Sequence, residues 1–238
     1  MKNIIHLYIT DHCSTHCPFC GMGSGPAGSR YLSKENIGVL VGPLLSSSSS
    51  NIIRLLGGEP LTHPEFNDIL EALLSIPQVS EVEIITNGIG IESKMPFISE
   101  MIDRYEKPIM IRFSVNYWLL SVNPLYKGNS MVFFLKEHKK NNLKFSANIG
   151  VRDLLEDQIM SVKWQKIFHS FGSRAAVVHL IAYTSEIGKR CPGSYKKKVM
   201  ICPHFGVIER FIGPDGEVFK SCDDLSFNMQ NHSEYYER

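Results

Sequence analysis

Several features that would assign a compartment or a polymeric partner are missing from this 238-residue sequence. No apolar run approaches the ~20 residues that a membrane-spanning helix needs. The first residues form a strand pattern without the charged and then long apolar segments of a signal peptide. Lys+Arg (25) and Asp+Glu (24) leave a formal net charge of +1, which predicts neither a nucleic-acid-binding stripe nor an acidic disordered tail. We therefore expect a cytoplasmic protein with no membrane and no nucleic-acid partner.

Cysteine is scarce, but its distribution is informative. The chain has six cysteines, and in a cytosolic protein such residues are more often metal ligands than disulfides. They fall into an early group and a late group of three each, namely Cys13, Cys17, Cys20 and Cys191, Cys202, Cys222.

The early group follows the apolar run Ile4–Ile9, so its three thiols should lie at the end of a strand. Thiolates of this density suit an iron–sulfur cluster or zinc. Zinc normally takes four ligands, and no second Cys/His pair follows Cys20. A cubane cluster held by three cysteines has one iron free for a small molecule. Ordinary buried thiols and a zinc site remain the alternatives.

Strand and helix patterns alternate along the chain. Apolar strands near residues 4–9, 51–56, 81–86, 109–116, 145–152 and 175–183 are separated by helical periodicity. Strands linked by single helices predict right-handed crossovers and a parallel sheet. Six units cannot close an eight-stranded barrel, so we expect an α/β fold, an open (β/α)6 partial TIM barrel over residues 1–185, with function at the carboxyl ends of its strands.

Polar or glycine-rich residues stand at those strand ends. The second strand ends in Gly57-Gly58-Glu59-Pro60, where glycines allow close backbone approach and a carboxylate could accept hydrogen bonds from an ammonium group. Thr86-Asn87-Gly88 ends the third strand, and Ser114 and Asn116 share one face of the fourth. The alternatives are a tight turn with a solvated glutamate and a strand-end cap at Asn116. Arg152 could bind a carboxylate or pair with Asp153.

The early motif, with Phe19 before its last cysteine, resembles the CxxxCxxC loop of the radical S-adenosylmethionine (radical SAM) superfamily. The resemblance covers roughly residues 3–185. It implies that Cys13, Cys17 and Cys20 hold a [4Fe-4S] cluster and that Gly57–Pro60 contacts the amino group of the cofactor's methionyl moiety. It also implies that the end of the fourth strand contacts the ribose and the carboxylate of the cofactor. The cofactor-binding residues implied by this resemblance are Phe19, Gly57, Gly58, Glu59, Pro60, Thr86, Asn87, Ser114, Asn116, Asn148, Arg152 and Ile181.

The late cysteines flank a predicted hairpin with a turn at Gly213-Pro214-Asp215-Gly216. This region, residues 186–238, resembles the Twitch type of the SPASM extension, which carries an auxiliary iron–sulfur cluster. That extension usually has four cysteines, whereas three are present here. The fourth ligand is then His204, Asp223 or Asp224, or one iron is open to substrate; a Cys3His zinc site with His204 and plain buried thiols are the alternatives.

The implied activity is reductive cleavage of S-adenosylmethionine to a 5′-deoxyadenosyl radical that abstracts hydrogen from a biosynthetic substrate. With an auxiliary cluster to accept an electron, we expect a net oxidation: peptide modification or cross-linking, or dehydrogenation of a small-molecule alcohol or amine. Epimerisation needs a spare thiol, and a non-catalytic zinc or cluster scaffold is the other alternative. Expected partners are a flavodoxin or ferredoxin as electron donor and, for a peptide substrate, a separate leader-binding protein, because we expect no leader-binding extension before the barrel.

Overall fold

The fold was analysed in a computed structural model that describes residues 2–20, 22–47, 49–152, 154–171, 177–180 and 207–219. Strands and helices alternate as β1 (Lys2–Tyr8), α1 (Ile37–Val41), β2 (Ser50–Leu56), α2 (Phe66–Ser75), β3 (Val79–Thr86), α3 (Ile91–Tyr105), β4 (Ile109–Val115), α4 (Tyr117–Val122), α5 (Ser130–Glu137), β5 (Leu143–Val151), α6 (Leu155–Phe171) and β6 (Val177–Leu180). Single 3-10 turns precede or follow several helices (Lys34–Asn36, Gly42–Leu44, Pro60–Thr62, Pro124–Tyr126).

Strands β1 to β6 form one parallel sheet in sequence order. The predicted open α/β partial barrel is therefore confirmed. One boundary differs slightly: α2 was expected to open at His63-Pro64, but it begins at Phe66 because Pro60–Thr62 first forms a 3-10 turn capped by Glu59.

The predicted hairpin is also present, as β7 (Val207–Ile212) and β8 (Val218–Phe219) paired antiparallel. Its position was not predicted. Strand β7 pairs parallel with β1 along its whole length, so the sheet order is β6-β5-β4-β3-β2-β1-β7-β8. The hairpin thus extends the main sheet beside the strand that leads into the early cysteines. The division at residues 185/186 stays a prediction.

Alternation along the strands gives the sheet two different faces. The face covered by helices is apolar, with buried side chains such as Ile5, Ile53, Ile84 and Phe113 in one core. The opposite face carries a charged layer in the middle of the strands: Arg54 Nε lies 2.6 Å from Glu83 Oε2, and Arg112 Nη2 lies 3.4 Å from the same oxygen. Apolar packing against the helices therefore stabilises one face of the sheet. The other face carries charged side chains in the middle of the strands, next to the strand ends.

Within the described ranges, none of the helices combines the length and hydrophobicity that crossing a bilayer would require.

Candidate active site

One cavity lies at the carboxyl ends of β1 to β4. Its volume is about 310 Å³. All three early cysteines line it together with the ends of the next three strands; the lining residues are Cys13, Thr15, Cys17, Phe19, Cys20, Ser24, Leu56, Gly57, Gly58, Ile85, Thr86, Asn87, Ser114, Asn116 and Leu119. The fold thus brings four separate sequence motifs to a single site.

The cysteine loop wraps one side of this cavity. Cys13 is buried, whereas Cys17 and Cys20 are half-buried. The Cys20 backbone N–H donates to the Cys17 carbonyl (2.9 Å), which turns the chain between the last two thiols. Sequence reasoning missed Thr15, whose hydroxyl lies 3.3 Å from Cys13 Sγ and 3.7 Å from Cys17 Sγ. A hydroxyl inside the three-residue spacer was the available signal.

Burial favours the protonated form of two of the three thiols, Cys13 and Cys17. Burial raises the pKa of the Cys13 thiol, and it raises the pKa of Cys17 to about 12, although the Thr15 hydrogen bond opposes both shifts. A thiol with so high a pKa is unreactive unless a metal displaces its proton. Within the described part of the chain, no group of three or more Cys, His, Asp or Glu side chains is arranged to hold one metal ion. Three thiols around a shared cavity fit a cluster, in which each sulfur binds a different iron.

The two glycines of the β2 loop are needed for contact with the cysteine loop. Gly58 N–H donates to the Thr10 carbonyl (2.7 Å), and Glu59 N–H donates to the His12 carbonyl (2.8 Å). A Cβ at Gly57, whose φ is +153°, would lie 2.4 Å from the Thr10 oxygen; one at Gly58 would lie 2.2 Å from the His12 oxygen. We predicted that these glycines allow a ligand to approach closely. The structure shows that they allow close approach of the neighbouring backbone, and the approach of a ligand stays a prediction.

Glu59 is fully buried behind the cavity and joins β2 to β3. Its carboxylate accepts hydrogen bonds from the Thr86 hydroxyl (2.7 Å), from the Asn87 N–H (2.6 Å) and from the Leu61 N–H (3.2 Å). Burial raises the pKa of Glu59 to about 7, against the effect of these bonds. The carboxylate thus fixes the third strand end, and Pro60, also buried, follows it into the 3-10 turn. Contact with an amino group stays a prediction.

Asn87 connects the cysteine loop to the β4 end. Its Nδ2 lies 3.7 Å from Cys13 Sγ, and its carbonyl accepts a hydrogen bond from Asn123 Nδ2 (2.8 Å). The buried Tyr126 hydroxyl, missed in the sequence, lies 3.2 Å from the same carbonyl and 2.7 Å from the Ser114 carbonyl. Asn116 caps α4 by accepting from Leu119 N–H (2.9 Å) while it also lines the cavity, so the strand-end cap and the cavity role coexist.

The other predicted residues lie further out or outside the described residues. Asn148 pairs in register with Ser114 but is half-buried and not part of the lining. Arg152 was expected to bind a carboxylate or to pair with Asp153. Asp153 lies outside the described residues, so that pairing stays a prediction, and Arg152 pairs with the carboxylate of Asp157. Also outside the described residues are Ile181, Cys191, Cys202, His204, Cys222, Asp223 and Asp224.

The family model described as "Radical SAM superfamily" matches residues 7–144, which is more than half of the chain and includes every strand end that lines the cavity. The chain belongs to the radical SAM superfamily. Membership implies a [4Fe-4S] cluster and S-adenosylmethionine as cofactors. It does not extend to the SPASM/Twitch part of the prediction, because the match ends before the late cysteines.

Curated relatives include GTP 3′,8-cyclases. The chain is 31% identical over 103 residues to the mitochondrial protein of Arabidopsis thaliana, covering 42% of this chain and 26% of that one. It is 33% identical over 92 residues to the protein of Psychromonas ingrahamii, covering 37% and 26%. This chain therefore spans only about a quarter of either relative.

Solved structures of SuiB from Streptococcus suis share the fold. SuiB bound to S-adenosylmethionine matches with a TM-score of 0.62 at 12% identity, over 92% of this chain and 60% of SuiB. SuiB bound to the precursor peptide SuiA matches with a TM-score of 0.59 at 12% identity, over 94% and 60%. At this identity the likeness concerns the fold alone.

Proposed function

We propose that this radical SAM protein is an enzyme that reductively cleaves S-adenosylmethionine and abstracts hydrogen from a biosynthetic substrate in a net oxidation. One observation carries the proposal: the three early thiols line the same cavity as the ends of β2, β3 and β4. Cys13, Cys17 and Cys20 would hold the cluster. When bound, the cluster supplies the electron that splits the cofactor into methionine and a 5′-deoxyadenosyl radical.

The chain's own residues bind and orient the cofactor. Thr86, Asn87, Ser114 and Asn116 present polar groups to the cavity, and Phe19 presents an aromatic face. Glu59 fixes the third strand end and so acts on the cofactor through Thr86 and Asn87. Leu56, Ile85 and Leu119 line the same space with apolar side chains, which help to exclude water from the reaction.

The step after hydrogen abstraction depends on the late cysteines. We propose that Cys191, Cys202 and Cys222 would hold an auxiliary iron–sulfur cluster, with His204, Asp223 or Asp224 as fourth ligand or with one iron open. Such a cluster would supply an acceptor for the substrate electron. If these residues bound zinc or stayed free, the net oxidation would lose its electron acceptor. Assigning all six cysteines to metal leaves none as a hydrogen-atom donor, which disfavours an epimerase.

The substrate is proposed to be a peptide or a small molecule. The likeness to SuiB over 92% of this chain supports the peptide, because SuiB has been crystallised with its precursor peptide SuiA. The matches to GTP 3′,8-cyclases favour a nucleotide as the small-molecule alternative. A flavodoxin or ferredoxin is the proposed electron donor, and a separate protein would bind the leader of a peptide substrate.

The test is formation of 5′-deoxyadenosine. Anaerobically reconstituted protein should be brown and, once reduced with dithionite, should release 5′-deoxyadenosine from S-adenosylmethionine. The variant with Cys13, Cys17 and Cys20 all changed to Ala should release none, whereas Ser14→Ala in the same loop should behave as wild type. A colourless protein that contains stoichiometric zinc and forms no 5′-deoxyadenosine would contradict the proposal and favour a non-catalytic zinc-binding scaffold.

A further inference from the structure

Arg152 directly follows β5, and its guanidinium group is held by contacts on one of its edges and on one of its flat faces. Its Nε and Nη2 donate to the two carboxylate oxygens of Asp157, at 2.9 Å and 2.6 Å. The Asp157 side chain is buried, with 3% of its surface exposed. The guanidinium carbon lies 3.9 Å from the centre of the Tyr117 ring, so the arginine is stacked as well as paired. These contacts fix the plane of the guanidinium.

The second edge of the same guanidinium is much less constrained. A guanidinium offers two edges that can each bind an oxyanion through two N–H groups. On the Nη1/Nη2 edge, the contact is Nη2 to Glu156 Oε1 at 3.2 Å. Nη1 makes no hydrogen bond with any part of the chain that the structure describes. Glu156 is 73% exposed, and an exposed ion pair contributes only about 0–1 kcal/mol.

Arg152 lies near the cofactor cavity but is not part of its lining. Tyr117 follows the cavity-lining Asn116, and its ring centre lies 5.6 Å from that of the cavity-lining Phe19. Arg152 thus contacts the Tyr117 ring, which in turn packs against Phe19 in the lining of the space assigned to the cofactor. A group bound at Arg152 would lie beside the cofactor on the β5 side.

We propose that the outer edge of Arg152 binds an oxyanion of the substrate, a carboxylate or a phosphate. The inference rests on the proposed function for its meaning as a substrate site. Asp157 and Tyr117 are positioning residues that keep the guanidinium oriented. Glu156 occupies part of the edge in the absence of substrate and competes with the incoming anion.

Because Glu156 competes with the anion, substitutions of Arg152 and Glu156 should change the anion affinity in opposite directions. Loss of Arg152 should weaken anion binding, as for any cationic site. Loss of the Glu156 charge should instead strengthen it, because a weakly held competitor is removed from the same edge. A purely structural Arg152–Asp157 pair would give no gain of affinity.

The experiment is an anion titration of full-length, anaerobically reconstituted protein labelled with 15N-arginine. The Arg152 Nε–H signal is assigned with Arg152→Lys and followed during addition of glutarate in one arm and inorganic phosphate in the other. We expect saturable shifts in at least one arm, which names the preferred anion. Glu156→Gln should lower the dissociation constant about five-fold, whereas Glu100→Gln on α3, with the same charge change, should leave it unaltered. Arg152→Met has no Arg152 signal, so it is titrated with the same anions by isothermal calorimetry beside the wild type, and its dissociation constant should be at least about ten-fold higher.

Two outcomes would overturn the proposal: neither anion saturating the Arg152 signal, or Glu156→Gln binding no more tightly than Glu100→Gln. The gain-of-affinity variant keeps the test valid even if Arg152→Met folds poorly. Failure here with normal 5′-deoxyadenosine formation would overturn only the anion site. Normal anion binding without cofactor cleavage would overturn only the proposed function.

Discussion

The helix-covered face of the sheet and the carboxyl ends of its strands are stabilised in different ways. The covered face is a continuous apolar core in which non-directional burial dominates. The strand ends combine apolar residues such as Leu119 with hydrogen bonds between loops that are distant in sequence, as in the Glu59–Asn87 contact. The core should therefore determine whether the chain folds, and the strand-end network should determine whether the folded chain binds its cofactors.

The largest effect on stability should come from the core. Phe66 is fully buried in the first turn of α2, so Phe66→Ala should lower the free energy of unfolding by about 3–5 kcal/mol. Phe133 on α5 is 64% exposed, and Phe133→Ala is the matched control, with a change of about 0.5 kcal/mol or less. Denaturant unfolding followed by circular dichroism measures both; equal losses would contradict the assignment of stability to this core.

The next effect should come from the strand-end network. Glu59→Gln keeps the side-chain shape but turns one acceptor into an NH₂ group in a fully buried site. Because the new NH₂ group would face the Thr86 and Asn87 donors, the substitution should lower the free energy of unfolding by about 1–3 kcal/mol. Affinity for S-adenosylmethionine, measured by equilibrium dialysis, should fall as well, whereas Phe66→Ala should leave the affinity of its folded fraction unchanged. If Glu59→Gln bound S-adenosylmethionine with wild-type affinity, the strand-end network would not contribute to cofactor binding.

A smaller effect should come from the β5 end. The Arg152 guanidinium lowers the pKa of Asp157 by hydrogen bonding to its carboxylate. A carboxyl group with a lowered folded pKa stabilises the fold above its unfolded pKa, about 3.9. That stabilisation is lost as pH falls through the folded pKa. Asp157→Asn should lower the free energy of unfolding by about 1–2 kcal/mol at neutral pH. It should have little effect at a pH below the folded pKa of Asp157, where the wild-type carboxyl group is protonated.

The control for this titration is Glu156→Gln, which removes only an exposed partner of the same arginine. It should change the free energy of unfolding by less than about 0.5 kcal/mol at either pH. Urea unfolding at pH 7 and in the acid range compares the variants. A cost of Asp157→Asn that does not shrink on acidification would show that the ion pair is not its source.

The smallest effect on stability should come from Thr15. Thr15→Val removes the hydroxyl between Cys13 and Cys17. It should change the free energy of unfolding by about 1 kcal/mol or less. Because hydrogen bonds to the sulfurs set cluster potentials, the midpoint potential of the early cluster should become more negative. Redox titration followed by electron paramagnetic resonance measures it. Ser14→Ala, on an exposed neighbour, should leave the potential unchanged.

Sequence reasoning predicted the first region better than the second. The helix-covered face was readable because the apolar periodicity of segments such as Phe66–Leu74 is a local signal. The strand-end positions of Gly57–Pro60 and Thr86-Asn87 were also readable, because parallel strands end at a common edge. Thr86, Asn87, Ser114 and Asn116 line one cavity, and their binding of the cofactor stays a prediction.

The partners of individual polar groups were not readable. Glu59 and Arg152 each carry a charge that several partners could satisfy, and only the tertiary structure selects Asn87 for one and Asp157 for the other. Pairing of β7 with β1 joins segments about 200 residues apart in the chain, and a hairpin motif contains no information about which edge it will extend. Long-range choices of this kind need coordinates.

The most direct test of the central claim is the electron paramagnetic resonance spectrum of the reduced early cluster with and without S-adenosylmethionine. Changing Cys191, Cys202 and Cys222 to Ala leaves Cys13, Cys17 and Cys20 as the source of the signal. We predict one [4Fe-4S] cluster whose spectrum changes when S-adenosylmethionine is added, because the cofactor binds an iron that no cysteine occupies. A spectrum that stays unchanged at saturating cofactor, or a protein that binds zinc in place of iron, would contradict the account.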